Sequence, residues 1–186
     1  VGWHWTLEMS KYFEVWVLTR KSNQENIEKW IVESPIQYDI HYIYYDIPKA
    51  LRFWKKGLRG VRTYYVLWQM LTNSIVKKTM QENDIHIYHL LTYGNSLWPA
   101  SSYGMKQTFI WGPTGGVDSI PCEYTKYYPL KSRLVEWARR TMVKELPLNI
   151  GFQKRCKNAD LIFCNPPYFK VDSDESHLNE SKHYTL

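Results

Sequence analysis

A glycine-rich segment with the potential to bind an oxygen-rich ligand lies near the middle of the chain. Residues 108–110 (TFI) have the composition of a buried strand, and six residues follow directly: Trp111, Gly112, Pro113, Thr114, Gly115 and Gly116. Glycine lets a ligand approach the backbone and proline stiffens the segment, so main-chain N–H groups can face that ligand. A tight turn that binds nothing has the same pattern. The sequence therefore predicts either a binding loop or a turn at a strand end.

A second segment combines basic and aromatic residues. No acidic residue interrupts the six basic residues between positions 49 and 62, which are Lys49, Arg52, Lys55, Lys56, Arg59 and Arg62. Aromatic side chains such as Phe53 and Trp54 are interleaved with them. This pattern is typical of a surface that binds an anionic membrane or a phosphate, and it also occurs in solvated loops. We predict that four residues of this basic segment contact a membrane or a phosphate: Arg52, Lys55, Lys56 and Arg59.

The composition restricts the class of protein. A chain of 186 residues, 44% hydrophobic and 23% charged, is typical of one globular domain. Its three cysteines lack the spacing of a zinc site and are odd in number, which favours a reducing, cytoplasmic environment over a disulfide framework. No apolar run approaches the roughly 20 residues that cross a bilayer. We therefore predict a cytoplasmic protein with at most peripheral membrane contact.

Short apolar segments alternate with amphipathic ones along most of the chain. Apolar residues recur at helical spacing from Val61 to Asn83, which predicts the longest helix. Other helices are predicted near residues 3–12, 23–32, 130–143 and 149–157, and strands at 14–19, 40–45, 84–90, 107–110 and 160–165. This alternation predicts an α/β fold, with a Rossmann-like, mostly parallel sheet and helices on both faces.

The two ends of the chain depart from that regular pattern. A doubly wound sheet opens with a strand that leads into the first helix, whereas this chain starts at the edge of that helix. We therefore expect the first strand to be absent and its place in the sheet to be apolar. Residues 168–186 are acidic and polar, and we predict a polar tail or linker after a domain that covers residues 1–167.

Five segments together resemble a known family. They are residues 2–5 (GWHW), 14–20 (EVWVLTR), 84–89 with Thr92, 110–116 (IWGPTGG) and 158–162 (NADLI). The combination is similar to the amino-terminal domain of bacterial family-four (group 1) glycosyltransferases of the GT-B fold. The resemblance implies the acceptor-binding half of a retaining enzyme, with a nucleotide-sugar as co-substrate and no metal or other cofactor. The donor-binding domain of the family, with its paired glutamates, has no counterpart here, so we expect the chain alone to be inactive.

The candidate site residues fall where parallel strands end. Ligands collect at the carboxyl edge of a parallel sheet, and helix amino termini point into the same crevice. Gly2, His89, Thr92 and residues 111–116 occupy such positions, and the backbone at Gly2 can face a diphosphate. The resemblance implies that His89 lies against the transferred sugar as the catalytic residue. The alternative is a half-buried histidine that is bonded to a backbone carbonyl.

Two further positions have open interpretations. Family members often carry a second histidine where this chain has Trp111, which favours an aromatic platform for a sugar or lipid, or a plain core residue. Asp118 either bonds an acceptor hydroxyl or caps a turn. With Thr92, Gly112, Thr114, Gly115 and Gly116, both are predicted to bind substrate.

The resulting prediction is an acceptor-binding domain for a saccharide or lipid-linked acceptor, which meets the nucleotide-sugar mainly through the second domain. One alternative is a basic aromatic module that binds single-stranded nucleic acid, although we expect no sequence-specific nucleic-acid contact. The other is a non-catalytic Rossmann-like binding protein, because a fold does not determine a function.

Overall fold

The computed structural model describes residues 2–55, 57, 59–91, 96, 106–115, 120–164 and 183–185. Helices and parallel strands alternate along these residues, which confirms the predicted α/β class and is consistent with a Rossmann-like fold. The chain forms two compact units, Val1–Met80 and Gln81–Leu186. Among the described residues, no helix has the length and hydrophobicity needed to cross a lipid bilayer.

The first unit is built on a two-stranded parallel sheet. Its elements are α1 (Gly2–Met9), β1 (Val15–Arg20), α2 (Gln24–Glu33), β2 (Ile40–Tyr45) and α3 (Val61–Glu82), the last of which runs on into the second unit. The strands pair in register from Val15 opposite Ile40 to Arg20 opposite Tyr45. Asp46 therefore follows directly on the carboxyl end of β2.

Helices cover both faces of this small sheet. Because side chains alternate along a strand, Tyr42 and Tyr44 share one face. On that face Trp3 of α1 meets Trp30 of α2 edge-on, with ring centroids 4.7 Å apart, and lies near Tyr42. On the opposite face the helix α3 provides the core, which consists of Ile47, Tyr64 and Trp68 with Leu18, Tyr45, Trp54, Tyr65 and Leu67 packed around them.

The second unit contains a four-stranded sheet. Its elements are β3 (Ile87–Leu90), β4 (Thr108–Thr114), α4 (Cys122–Thr125), α5 (Leu130–Lys144), α6 (Ile150–Asn158), β5 (Leu161–Cys164) and β6 (His183–Thr185). The strand order is β3-β4-β5-β6, and each neighbouring pair is parallel. Asn149 caps α6, because its side chain accepts a 2.9 Å hydrogen bond from the Phe152 amide.

One face of the four-stranded sheet carries the core of the second unit. Buried side chains from β4, β5, α6 and the short turn before α6 meet there: Phe109, Trp111, Leu146, Phe152, Ala159 and Ile162. The alternation along β3 places Tyr88 and Leu90 against this core. His89 therefore points to the opposite face of the sheet.

The described strands form two hydrogen-bonded sheets. Two features differ from the sequence-based expectations. The strand β4 continues to Thr114 instead of ending at Ile110, because neighbouring strands pair with it on both sides and Thr114 still lies opposite Cys164. Finally, His183–Thr185 pairs with β5 as β6, although these residues belong to the segment predicted as a tail.

Candidate functional site

A hydrogen bond joins the strand-end histidine to the glycine-rich segment. His89 lies in β3 opposite Ile110 of β4, and its Nε2 atom is 2.8 Å from the carbonyl oxygen of Gly112. A carbonyl oxygen only accepts hydrogen bonds, so Nε2 carries the proton and donates. The predicted alternative for this histidine, a contact with a backbone carbonyl, is thus present in the structure.

Burial controls the ionisation of His89. The removal of water around the ring lowers the pKa of His89 below its ordinary value of 6.5, and the hydrogen bond to Gly112 opposes this shift only in part. The imidazole is therefore neutral at pH 7, with its proton on Nε2. A neutral imidazole in one defined tautomer can position a polar group without adding charge to the site.

Gly112 occupies a place that no other residue type fits. Its φ of 130° lies in a region that side-chain-bearing residues rarely adopt. A Cβ atom here would overlap the carbonyl oxygen of Phe163 and lie 2.9 Å from the Phe163 Cβ. The peptide bond between Gly112 and Pro113 is cis, and the pairing of β4 with β5 shifts register between Trp111 and Thr114. The glycine thus allows β4 and β5 to approach each other closely.

A polar cluster fixes the carboxyl end of β4. The hydroxyl groups of Ser96 and Thr114 are 3.0 Å apart, and the backbone amide of Ser96 donates to the carbonyl of Gly115 at 3.1 Å. Arg155 of α6 donates a 2.6 Å hydrogen bond to the Ser96 carbonyl. Its guanidinium also lies 5.3 Å from the centroid of the Trp111 ring. These contacts hold residues 111–115 of the glycine-rich segment as a fixed strand end, not as a loop.

The structure changes the expected role of three residues in this segment. Trp111 is only 2% exposed and meets Phe152 edge-on, so its ring is a core residue and not a platform open to a ligand. Thr114 is also buried, because it faces Ser96 beneath the strand end. Gly112 is buried as well, with its carbonyl bonded to His89. Among the described residues of the predicted site, His89 and Gly115 are the ones that retain partial exposure at this edge.

The remaining predicted residues belong to the first unit or lie outside the described residues. Gly2 begins α1 in the first unit, whereas His89 and the glycine-rich segment belong to the second. Thr92, Gly116 and Asp118 lie outside the described residues, as does Lys56 of the basic segment. Their predicted roles stay predictions.

A charged cluster at the carboxyl edge of the first unit was not identified from the sequence. Its centre is Asp46, whose carboxylate accepts hydrogen bonds from Tyr64 at 2.5 Å and from Arg52 at 3.3 Å, and lies 3.7 Å from the Nε atom of Arg20. The ammonium group of Lys55 lies 5.4 Å from the centroid of the Tyr64 ring. We call these five residues the Asp46 cluster. Two of them, Arg52 and Lys55, belong to the basic segment that the sequence analysis identified. No local sequence pattern connects these two residues with Arg20 or Asp46.

Burial also affects the tyrosine of the Asp46 cluster. The desolvation of Tyr64 and its hydrogen bond to Asp46 raise the pKa of its hydroxyl. The hydroxyl therefore stays protonated at neutral pH and remains a donor to Asp46.

A possible ligand set for a cation lies at the opposite, amino-terminal edge of the two-stranded sheet. Donor atoms of Glu14, Asp39 and His41 lie within 4.8 Å of one another, with the His41 Nε2 2.9 Å from Glu14 and 3.4 Å from Asp39. All three side chains are more than 40% exposed. Exposed acidic groups beside a histidine are common at protein surfaces without a bound ion, and this set carries no metal assignment.

Comparisons with known proteins add no relative. No family model, curated protein or solved structure matches the chain.

Proposed function

We propose that this chain is the acceptor-binding part of a retaining glycosyltransferase, which moves a sugar from a nucleotide-sugar donor to a saccharide or lipid-linked acceptor. The observation that carries the proposal is the partial exposure of His89 and Gly115 at the same edge of the parallel sheet, where the hydrogen bond from His89 to Gly112 orients the imidazole ring. This bond joins the strand-end histidine to the glycine-rich segment, and residues 110–116 of that segment are the most specific piece of the resemblance. Both lie near the carboxyl edge of a parallel sheet, the edge at which α/β proteins bind ligands.

The strand order gives further support. In a doubly wound sheet of order 3-2-1-4-5-6, removal of the first strand separates a pair of strands from a run of three. Here β1 pairs only with β2, and β3, β4 and β5 follow one another in the second sheet, which β6 extends. This is the hydrogen-bonded order that the proposal requires.

Within the proposed site, we assign ligand contact to the partly exposed residues and a structural role to the buried ones. His89 and Gly115 contact the acceptor or the transferred sugar, together with Thr92, Gly116 and Asp118 on the strength of the resemblance. Trp111, Gly112 and Thr114 hold the strand end in place from beneath. Catalysis then depends on positioning and on stabilisation of the leaving diphosphate, which the second domain of the family provides.

Saccharide binding by the 186-residue chain tests this proposal. We expect at least one saccharide on a glycan array to bind, and the His89→Gln variant to weaken its affinity by about tenfold, the effect of losing one hydrogen bond in a buried site. The matched control is His86→Gln, because His86 lies just before β3 with an exposed side chain. The proposal fails if no saccharide binds or if both variants bind equally well.

A transfer assay supplies a second, separate criterion. Incubated with UDP-glucose, UDP-N-acetylglucosamine or GDP-mannose and the saccharide found on the array, the chain alone is expected to form no product. Turnover by the isolated chain would overturn the assignment to the acceptor half.

We also infer a peripheral location at the cytoplasmic face of an anionic membrane. Phe53 of the basic segment is 78% exposed and Leu51 is exposed beside it, so apolar side chains stand among the lysines and arginines. Simultaneous Lys55→Glu and Lys56→Glu substitutions are expected to abolish sedimentation with vesicles that contain phosphatidylserine. Lys77→Glu, an exposed position on α3, is the control, and retained sedimentation of the double variant would refute this location.

A further inference from the structure

The Asp46 cluster contains more positive charge than its carboxylate can neutralise. Arg20, Arg52 and Lys55 carry three positive charges, and among the described residues Asp46 is the single acidic residue that pairs with any of them, at Arg20 and Arg52. Tyr64 is neutral. The cluster therefore has a net charge of about +2 at pH 7, because arginine and lysine remain protonated there.

The two arginines have hydrogen-bond donors to spare. A guanidinium group carries five N–H donors in a planar fork. Within the described part of the chain, Arg52 donates one hydrogen bond, to Asp46, and Arg20 donates none; the Arg20 Nε–H is closed to water and faces Asp46 at 3.7 Å, so the donors open to a ligand are the terminal N–H groups. The side chains of Arg20 and Arg52 are 36% and 30% exposed. A small anion can therefore reach donors that the protein leaves unused.

The surroundings of the cluster hold these donors in place. Asp46 is fixed by the 2.5 Å hydrogen bond from Tyr64, which is buried, and the Arg20 guanidinium packs over the Tyr64 ring at 4.9 Å from its centroid. Lys55 donates to the carbonyl of Gly57 at 3.3 Å. A flexible surface lysine lacks such contacts, so this is a preorganised group and not a diffuse patch.

The position in the fold favours an anion as well. Arg20 is the last residue of β1 and Asp46 follows β2, so the cluster lies at the carboxyl edge of two parallel strands. Tyr64 belongs to the first turn of α3, a helix of 22 residues, whose amino-terminal end carries partial positive charge. Strand ends and a helix amino terminus together are a common setting for phosphate groups.

We propose that Arg20, Arg52 and Lys55 form a binding site for a phosphomonoester, with Asp46 as the residue that orients the two arginines. A phosphomonoester carries close to two negative charges at pH 7 and three acceptor oxygens, which match the net charge and the unused donors of the cluster. The site lies within the first unit and does not depend on the acceptor proposal for the second. Its failure and the failure of saccharide binding are therefore separate results.

Calorimetric titration of the full chain with inorganic phosphate, in a phosphate-free buffer of low ionic strength, tests the site. We expect saturable binding of one phosphate, weakened about tenfold or more by Arg20→Gln, Arg52→Gln or Lys55→Gln. The matched control is Lys49→Gln, which removes the same charge from the same basic segment outside the cluster. Absence of saturable binding, or an equal loss in the Lys49→Gln variant, overturns the proposal.

One further variant, Arg52→Lys, and the comparison with Lys55→Gln distinguish loss of binding from loss of folding. Arg52→Lys keeps the charge and removes the planar fork, so phosphate affinity is expected to fall clearly although the net charge is unchanged. An unchanged phosphate affinity would contradict a preorganised binding site. Lys55 makes no contact with Asp46, so Lys55→Gln remains informative if the arginine variants unfold, which thermal unfolding by circular dichroism will show.

The source of the phosphate is distinguished by two parallel titrations. If the ligand is soluble, glycerol 3-phosphate binds as tightly as inorganic phosphate. Adding glycerol 3-phosphate then leaves the amount of chain that sediments with vesicles unchanged. If it is a lipid headgroup, the chain sediments with phosphatidic acid vesicles more strongly than with phosphatidylserine vesicles, and Arg52→Lys removes that preference. Binding of phosphate without either behaviour contradicts a phosphomonoester ligand.

Discussion

The Nε2 atom of His89 donates a 2.8 Å hydrogen bond to the carbonyl oxygen of Gly112, across 23 positions of sequence. The bond joins adjacent parallel strands through a side chain, on the face of the sheet opposite the core of the second unit. It fixes both the ring orientation and the tautomer of the histidine. Any polar ligand at this strand end therefore meets a neutral, oriented imidazole instead of a mobile cation.

The first prediction concerns the titration of His89. Burial lowers its pKa, so the imidazole signals of His89 are expected to titrate below pH 6.5 in the folded protein by NMR. Below about pH 6.5, His89 binds a proton more readily in the unfolded chain than in the folded chain. The free energy of unfolding therefore falls as the pH decreases below about 6.5. The same residue in urea-denatured protein is the control. A folded-state midpoint at or above the denatured one contradicts the burial.

The second prediction concerns Gly112. Gly112→Ala is expected to lower the free energy of unfolding by about 3 kcal/mol or more, because the new Cβ overlaps Phe163 and the backbone has a φ of 130°. Gly57→Ala is the control: Gly57 also has a positive φ, of 53°, but open space surrounds its Cβ position, and the expected cost is about 1 kcal/mol. Urea denaturation measures both. Equal costs would show that contact with Phe163 is unimportant.

The elements with a strong local signal could be predicted from the sequence. The helix expected from Val61 to Asn83 is observed as Val61–Glu82, and the strand expected at residues 40–45 is observed as Ile40–Tyr45. Their patterns depend on periodic burial within one segment. The length of β4 could not be predicted in the same way, because glycine and proline normally end a strand. The strand extends to Thr114 through its pairing with the neighbouring strands, which the sequence does not reveal.

The candidate sites show the same limit. His89 could be identified as a candidate from the sequence because it lies at a strand end. Its hydrogen-bond partner Gly112 lies in the next strand, and no local sequence pattern predicts that the two residues are in contact. Trp111 was equally compatible with a surface or a core, since an aromatic residue in a short apolar segment does not reveal which face is covered. The Asp46 cluster joins three separate segments, so its charge balance became apparent only from the fold.

The third prediction concerns the hydroxyl of Tyr64. Tyr64→Phe removes a hydrogen bond between a buried hydroxyl group and the Asp46 carboxylate and is expected to lower the free energy of unfolding by about 2 kcal/mol. Tyr12→Phe is the control, because Tyr12 is exposed and its loss should cost about 0.5 kcal/mol or less. Chemical denaturation at pH 7 compares them. A cost for Tyr64→Phe as small as that of the control would show that this bond does not stabilise the first unit.

The fourth prediction concerns Glu136 of α5. Its carboxylate is nearly buried and accepts hydrogen bonds from Arg139, from the amide of Ile120 and from Arg140, and the Arg139 bond is the main reason why its pKa falls to about 2. Between about pH 4.5 and pH 2 the unfolded chain binds a proton here that the folded chain does not.

Stability from Glu136 is therefore complete above about pH 4.5 and is lost as the pH falls towards 2. We expect Glu136→Gln to cost on the order of 1 to 2 kcal/mol at pH 7, less than the whole pKa shift suggests, because Arg139 is 31% exposed and solvent screens the pair. The variant should also lose less stability than the wild type between pH 4.5 and 2.

The control is Glu8→Gln, which breaks the exposed ion pair with Lys11 and should leave the dependence of stability on pH unchanged. Parallel pH profiles for Glu136→Gln and the wild type would show that another carboxylate governs acid unfolding.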